Sequence, residues 1–389
     1  MHAWGFGRAR AAATKYIRIG VLGAVLAAAA GCDRKSDEAK AADGKAPLLI
    51  GLSLADLKEE RWQRDRDFFA AKAKELGAEV IVQDAGGDPN AQVRQCDGLL
   101  AKGVKALVVV PKNADAARPI VLNAHAKGVK VISYDRLIGD AEVDLYLSFD
   151  NEKVGEIQAK AIAAAAPKGN YLLLRGDPAD KNSDMIHAGH MKVLQPLIDK
   201  GDIKVVADQA CDKWLRSEAR RITADALQKS KVDAIVASND GTASGAISAL
   251  EDRKLAGKVP VSGQDADLIA CQYVWQGMQT VTVYKPIRKL AEAAAERAVS
   301  AAKGAAIDGS TARLANGSYQ VPALFLEPIP VTRENLLATV VADGFHSEAD
   351  ITGSPAAQAA AGDPAAAEAG KAPAPATPPA AAPAAAGRP

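Results

Sequence analysis

The chain is predicted to be an α/β protein built from two doubly wound parallel-sheet domains. Two observations lead there. Short apolar runs, suited to burial on both faces, alternate with amphipathic segments that end at glycine, the pattern of parallel strands covered by helices. Ten such runs fall between Leu48 and Pro286, too many for one compact sheet of this length. They divide near Phe149-Asp150-Asn151 into two similar sets of about five.

The first set reads LLIGLSLA (48–55), AEVIVQDA (78–85), ALVVVP (106–111), KVISYD (130–135) and LYLSFD (145–150). The second reads NYLLLRG (170–176), IKVVADQA (203–210), DAIVASND (233–240), VPVSGQD (259–265) and TVTVYKP (280–286). Helical periodicity fills the gaps, from ERWQRDRDFFAAKAKEL (60–76) to EARRITADALQKS (218–230), with IRKLAEAAAERAVSAAKG (287–304) after the last run.

Both ends fall outside this alternation. Arg8, Arg10, Lys15 and Arg18 precede the apolar run IGVLGAVLAAAA and then Gly31-Cys32, the layout of a bacterial secretory signal over residues 1–31. The Ala-Ala-Gly-Cys ending resembles a lipobox, which would make Cys32 a lipidated mature N-terminus, although Ala29 stands where Leu is preferred. Ordinary cleavage after Ala30 and an uncleaved anchor are the alternatives. The apolar run is short for a spanning helix. Residues 32–46 suit a flexible tether, and 347–389, nearly all Ala, Pro and Gly from Ser354 onward, suit a disordered tail.

Composition excludes several function classes. Forty-eight Lys and Arg against 47 Asp and Glu are mixed along the chain, so no basic face points to nucleic acid. Neither a GxxxxGK[ST] loop, nor GxGxxG after a strand, nor a GxSxG elbow is present. Cys96, Cys211 and Cys271 are too scattered for a disulfide framework or zinc cluster and read as small buried hydrophobes. His187 and His190 share a helix face but lack a third ligand, so they read as solvated helix histidines. The expectation is a binding protein with no catalytic residue, metal or cofactor.

Polar residues collect where the strands end. Asp56, Asp84, Asp135-Arg136, Asp150-Asn151, Asp177, Asn239-Asp240, Gln264-Asp265 and Lys285 all sit at carboxyl ends. Asp and Asn are ordinary turn formers there, but Arg136, Gln264 and Lys285 are not. In an open α/β sheet this edge is where ligands bind. Lys58, Arg61 and Trp62, at the first strand-to-helix junction, are placed to meet a polar ligand with a flat apolar face. A helix start with solvated charges and a half-buried Trp is the plainer reading of those three.

The motifs ERWQRDRDFF, VISYDRLI, YLSFDNEKVGE, VASNDGTASGAI, VSGQDADL and TVYKPI resemble periplasmic sugar-binding proteins of ABC importers, which have the type I periplasmic binding fold. ERWQRDRD, together with YDRLI and SFDNEKVG, is nearest the xylose-binding members. The resemblance covers about Leu48 to His346. It implies a monosaccharide, D-xylose, held between the domains by Lys58, Arg61, Trp62, Asp135, Arg136, Asp180, Asn182, Trp214, Asn239, Asp265 and Lys285; a receptor for another pentose or a hexose, or a chemotaxis sugar sensor of the same fold, is the alternative. Lys181 and Ser183, where Asn and Ala are expected, and CDKW (211–214) depart from the family pattern.

These residue types suit a pyranose. Indole rings cover its C–H faces, and carboxylates, guanidinium groups and amides match its belt of hydroxyls. The resemblance further implies a periplasmic monomer anchored through Cys32. Its partners would be an ABC permease with its ATPase and a chemoreceptor. The N-terminal domain is expected over 47–150 and 285–318, and the C-terminal domain over 151–284 and 319–346. Three crossing strands would form a hinge, near Phe149-Asp150-Asn151, near Tyr284-Lys285-Pro286 and before PALFLEPIPV (322–331).

Overall fold

A computed structural model describes residues 47–307 and 309–353. The predicted signal peptide, the Cys32 lipidation site, the tether and the tail from Ser354 onward lie outside the described residues.

The chain opens with β1 (Leu48–Leu54), α1 (Glu60–Glu75), β2 (Ala78–Asp84), α2 (Pro89–Ala101), β3 (Ala106–Val109), α3 (Arg118–Ala126), β4 (Lys130–Tyr134) and β5 (Leu145–Phe149). A second run follows: α4 (Asn151–Ala165), β6 (Gly169–Arg175), α5 (Lys181–Asp199), β7 (Ile203–Ala210), α6 (Arg216–Lys229), β8 (Ala234–Ala237), α7 (Asp240–Glu251), β9 (Ser262–Gln264), α8 (Leu268–Gln276) and β10 (Val281–Tyr284). After these come α9 (Ile287–Ala302), β11 (Ala312–Asn316), β12 (Tyr319–Leu326), β13 (Ile329–Val331) and α10 (Glu348–Thr352).

Each of the ten apolar runs forms a strand. The strands build a seven-stranded sheet in the order β11-β12-β5-β4-β3-β1-β2, parallel except for β11. The second layer orders as β7-β6-β8 and β9-β10-β13, with the single bridge Ile235↔Val261 joining β8 to β9. β13 alone runs antiparallel there.

Local chemistry explains why the helices start where they do. Asp88 caps α2 by accepting from the Asn90 N–H at 2.8 Å, and Pro89 stands in the first turn, where its missing N–H costs nothing. Asn239 and Thr242 form a capping box on α7. Helix α9 presents Leu290, Ala291, Ala294, Ala295 and Ala298, all fully buried, to the first sheet, and the small side chains let it pack against β1, β3 and β4.

Three expectations need correction. β12 falls in the expected C-terminal segment 319–346, yet it pairs in parallel with β5 inside the first sheet, from Ala323↔Tyr146 to Leu326↔Phe149. The third crossing therefore follows Leu326 and runs through Glu327-Pro328 into β13, instead of preceding Pro322. Residues 347–353, assigned to the tail, include α10, which Ser347 caps and Ile351 anchors in the apolar core.

Candidate functional site

The carboxyl ends of both sheets face one cavity. From the first sheet come Arg61 and Trp62, after β1, and Asp135 and Arg136, after β4. From the second come Asp180 and Asn182 after β6, Trp214 after β7, Asn239 after β8, Gln264 and Asp265 at the end of β9, and Lys285 after β10. Ten of the eleven residues named from sequence thus line a single cavity. Lys58 does not: its side chain is exposed, and its backbone N–H donates to Asp56 at the loop turn.

The cavity is charged and internally paired. Arg61 spreads its guanidinium over three carboxylates, with Nη2 at 2.7 Å from Asp135, Nη1 at 3.2 Å from Asp265 and Nε at 3.4 Å from Asp65. Lys285 shares the same Asp265 oxygen at 3.1 Å. Burial alone would lower the pKa of Arg61, but Asp135, Asp65 and Asp265 outweigh it and hold the guanidinium well above its ordinary value. Burial likewise pushes Asp135 up, and Arg61, Lys285 and Arg136 overcome that push, so its carboxyl sits below the usual range. Both residues are therefore ionised at neutral pH, as a dry site with paired charges requires.

Trp62 is 2% exposed, with the Arg61 guanidinium 4.2 Å and that of Arg136 5.2 Å from the ring centroid. Trp214 stands in a tight turn at φ 59°, and its Nε1 donates to Asp180 Oδ2 at 3.2 Å. Gly176 is required beneath it. A Cβ there would fall inside the Trp214 ring edge, so only glycine lets the indole lie over the end of β6.

Asp180 serves its neighbours. One oxygen accepts from the Asn182 N–H at 3.0 Å, capping α5, and the other accepts from Arg136 Nε at 2.7 Å and from Trp214. Burial raises its carboxyl pKa, and Arg136 opposes the rise. Asn182 reaches back to the first sheet, donating to the Asp135 carbonyl at 3.1 Å and accepting from Asn151 Nδ2 at 3.0 Å. Asn239 uses its oxygen to cap α7 at 2.9 Å, which turns its amide nitrogen into the group available to the cavity.

Asp135 (φ 60°), Trp214 (φ 59°) and Asp265 (φ 101°) all occupy left-handed backbone that L-residues rarely adopt. Such strain at three cavity-lining residues is the pattern of a site held in shape by its surroundings.

The family model for a periplasmic binding protein domain matches residues 50–306. The chain belongs to the periplasmic binding protein family. A D-xylose-binding periplasmic protein of Haemophilus influenzae is 51% identical over 306 residues, covering 78% of this chain and 92% of that one. The protein of the same description from Escherichia coli is 49% identical over 306 residues with the same coverage. Among solved structures, a carbohydrate transporter solute binding protein from Chloroflexus aurantiacus in complex with D-glucose gives a TM-score of 0.74 at 30% identity, covering 80% of this chain and all of that one. The two facing parallel sheets are the type I fold of this family.

Two lining residues of this periplasmic binding protein escape the sequence-derived site. Glu59 borders the cavity, and burial pushes its carboxyl up, with Arg136 pulling the other way. A Glu just before a helix carries no signal that separates it from an ordinary first-turn acid. Gln264 is odd at a strand end, and that oddness was its only signal. His190 differs from expectation too. It is 1% exposed, and its Nε2 lies 2.7 Å from Gln158 Oε1, so it is a structural core histidine; burial drops its pKa to about 3 and keeps it neutral. Cys96, Cys211 and Cys271 are buried, as their spacing suggested.

Proposed function

We propose that this chain captures D-xylose in the cavity between the two sheets and delivers it to an ABC importer. The observation that carries the reading is the set of groups facing one cavity: two indoles, three cations and several carboxylates, one indole from each sheet. The likeness to the two D-xylose-binding proteins supports the choice of sugar.

Chemically, the site suits recognition without bond breaking. Trp62 and Trp214 give apolar surface to the C–H faces of a pyranose, and Arg61, Arg136, Asp135, Asp265, Lys285 and the Asn239 amide meet its hydroxyls. The ion pairs Arg61–Asp265 and Arg136–Asp180 link the two halves. A sugar that inserts its hydroxyls among them joins both halves through the same charges. Movement about the three crossings would open and close the cleft, and the closed surface would signal the permease.

We read the chain as a non-enzymatic, monomeric periplasmic receptor anchored through lipidated Cys32. A permease, its ATPase and a chemoreceptor are its expected partners. A panel of pentoses and hexoses, titrated by calorimetry, tests the reading: tight binding of D-xylose above the others is expected. Tight binding of D-glucose with no response to D-xylose would favour a hexose receptor instead.

A further inference from the structure

We infer that Gln264 is a sugar-contacting, specificity-determining residue whose amide oxygen accepts a hydrogen bond from one ligand hydroxyl. The inference rests on the sugar-binding reading above and adds a contact to it.

The argument begins with hydrogen-bond accounting. Gln264 is the last residue of β9, 3% exposed, and lines the cavity. Its Oε1 is fully buried, and no donor within the described residues reaches it. Several of the cavity's other acceptors are already engaged. Asp135 and Asp265 take Arg61 and Lys285, Asp180 takes Arg136 and Trp214, and the Asn239 oxygen caps α7. An amide oxygen shut away from water without a donor is costly, and such groups are rare unless something outside the chain satisfies them. A sugar hydroxyl is a donor of the right kind, delivered to a cavity that Gln264 borders.

The backbone fixes the residue's place at the cavity. Gln264 pairs in register with Val283 in β10, while Asp265 and Ala266 turn sharply away at φ 101° and 53°. Gln264 is therefore held by the sheet while its neighbour Asp265 is turned toward Arg61. The two adjacent side chains would take different hydroxyls, one by a neutral acceptor and one by a charged one. A neutral acceptor also tells epimers apart, because an analogue that leaves it without a donor restores the unsatisfied amide.

The test is a cycle between protein and ligand variants, using the full chain and calorimetry. Gln264→Leu and the more nearly isosteric Gln264→Met are compared with the unaltered chain, with thermal melting to confirm folding. The ligands are D-xylose and its monodeoxy derivatives. Both variants should bind D-xylose about tenfold more weakly. One deoxy sugar should lose about the same factor with the unaltered chain and no further factor with either variant. Affinity for D-xylose within twofold of normal in a folded variant overturns the assignment, and so does a penalty from every deoxy sugar that is the same with and without Gln264. If the unaltered chain prefers another sugar, the D-xylose reading fails by itself, and the same cycle with that sugar's deoxy forms still decides the role of Gln264.

Discussion

Arg61 and Asp265 meet across the cavity, Nη1 to Oδ1 at 3.2 Å, one following the first strand of the first sheet and the other the end of β9 in the second. Lys285 holds the same oxygen, so Asp265 joins a cation from each side. Removing it leaves two buried cations short of a partner. Asp265→Ala is expected to weaken sugar binding more than tenfold. Combined with Arg61→Ala, the losses should be markedly less than additive, because the pair acts as one unit. Calorimetry on the single and double variants checks both statements, and simple additivity would separate the two residues.

Trp62 is both a cavity wall and part of the apolar cluster beneath it. Trp62→Ala should therefore lower the melting temperature, since emptying a core Trp site costs about 3–5 kcal/mol, and should also reduce affinity more than tenfold. Trp62→Phe separates the two effects. It should retain most of the stability and still bind several-fold more weakly, because the flat surface shrinks and the guanidinium groups of Arg61 and Arg136 lose their larger ring.

Gly176→Ala is a test of how Trp214 is held. The new methyl would collide with the indole, so the ring must leave its place over β6. Affinity is expected to fall at least tenfold although the substituted residue itself bears no polar group for a ligand. Unchanged binding would mean that the position of Trp214 does not matter to the site.

Much of this arrangement is legible in sequence. Most of the ten strands announce themselves as runs rich in Val, Ile, Leu and Ala, the central ones buried on both faces and the edge strands β2 and β7 only in part. β11, β12 and β13 do not. β11 alternates partly buried with exposed residues at the sheet edge, β12 carries Pro322, and β13 is three residues long. β11 pairs with its neighbour β12, but β12 and β13 find their other partners, β5 and β10, far away in sequence, and so the pairing of β12 with β5, which moves the third crossing past Leu326, has no local signature. At the site, charged and aromatic residues at strand ends are conspicuous. Glu59 is hidden because an acid at a helix start is ordinary, and Asp65 because, although it lies one helical turn after Arg61, only the fold brings Tyr134 against it.

That hidden acid sets a pH dependence. Asp65 is buried, accepts from the Tyr134 hydroxyl and pairs with Arg61, yet burial outweighs both and raises its pKa from 3.8 to about 6. A carboxyl raised on folding holds more protons in the native state, so stability falls as pH climbs from about 4 to about 6 and levels off above. Asp65→Asn should flatten that part of the pH profile of the melting temperature. A variant profile parallel to that of the unaltered protein would show that another group is responsible.

The proposed anchor is tested by fractionation. Cys32→Ser should move the protein from membranes into the soluble periplasmic fraction if lipid is attached at Cys32. Equal membrane association of both forms would refute lipidation there.

The most direct measurement for the whole account is a calorimetric titration of the purified chain with D-xylose, L-arabinose, D-ribose and D-glucose. The account predicts one-to-one binding that is tightest for D-xylose and abolished or weakened more than tenfold by Asp265→Ala. Absence of D-xylose binding by a folded protein, or D-xylose affinity untouched by Asp265→Ala, would contradict it.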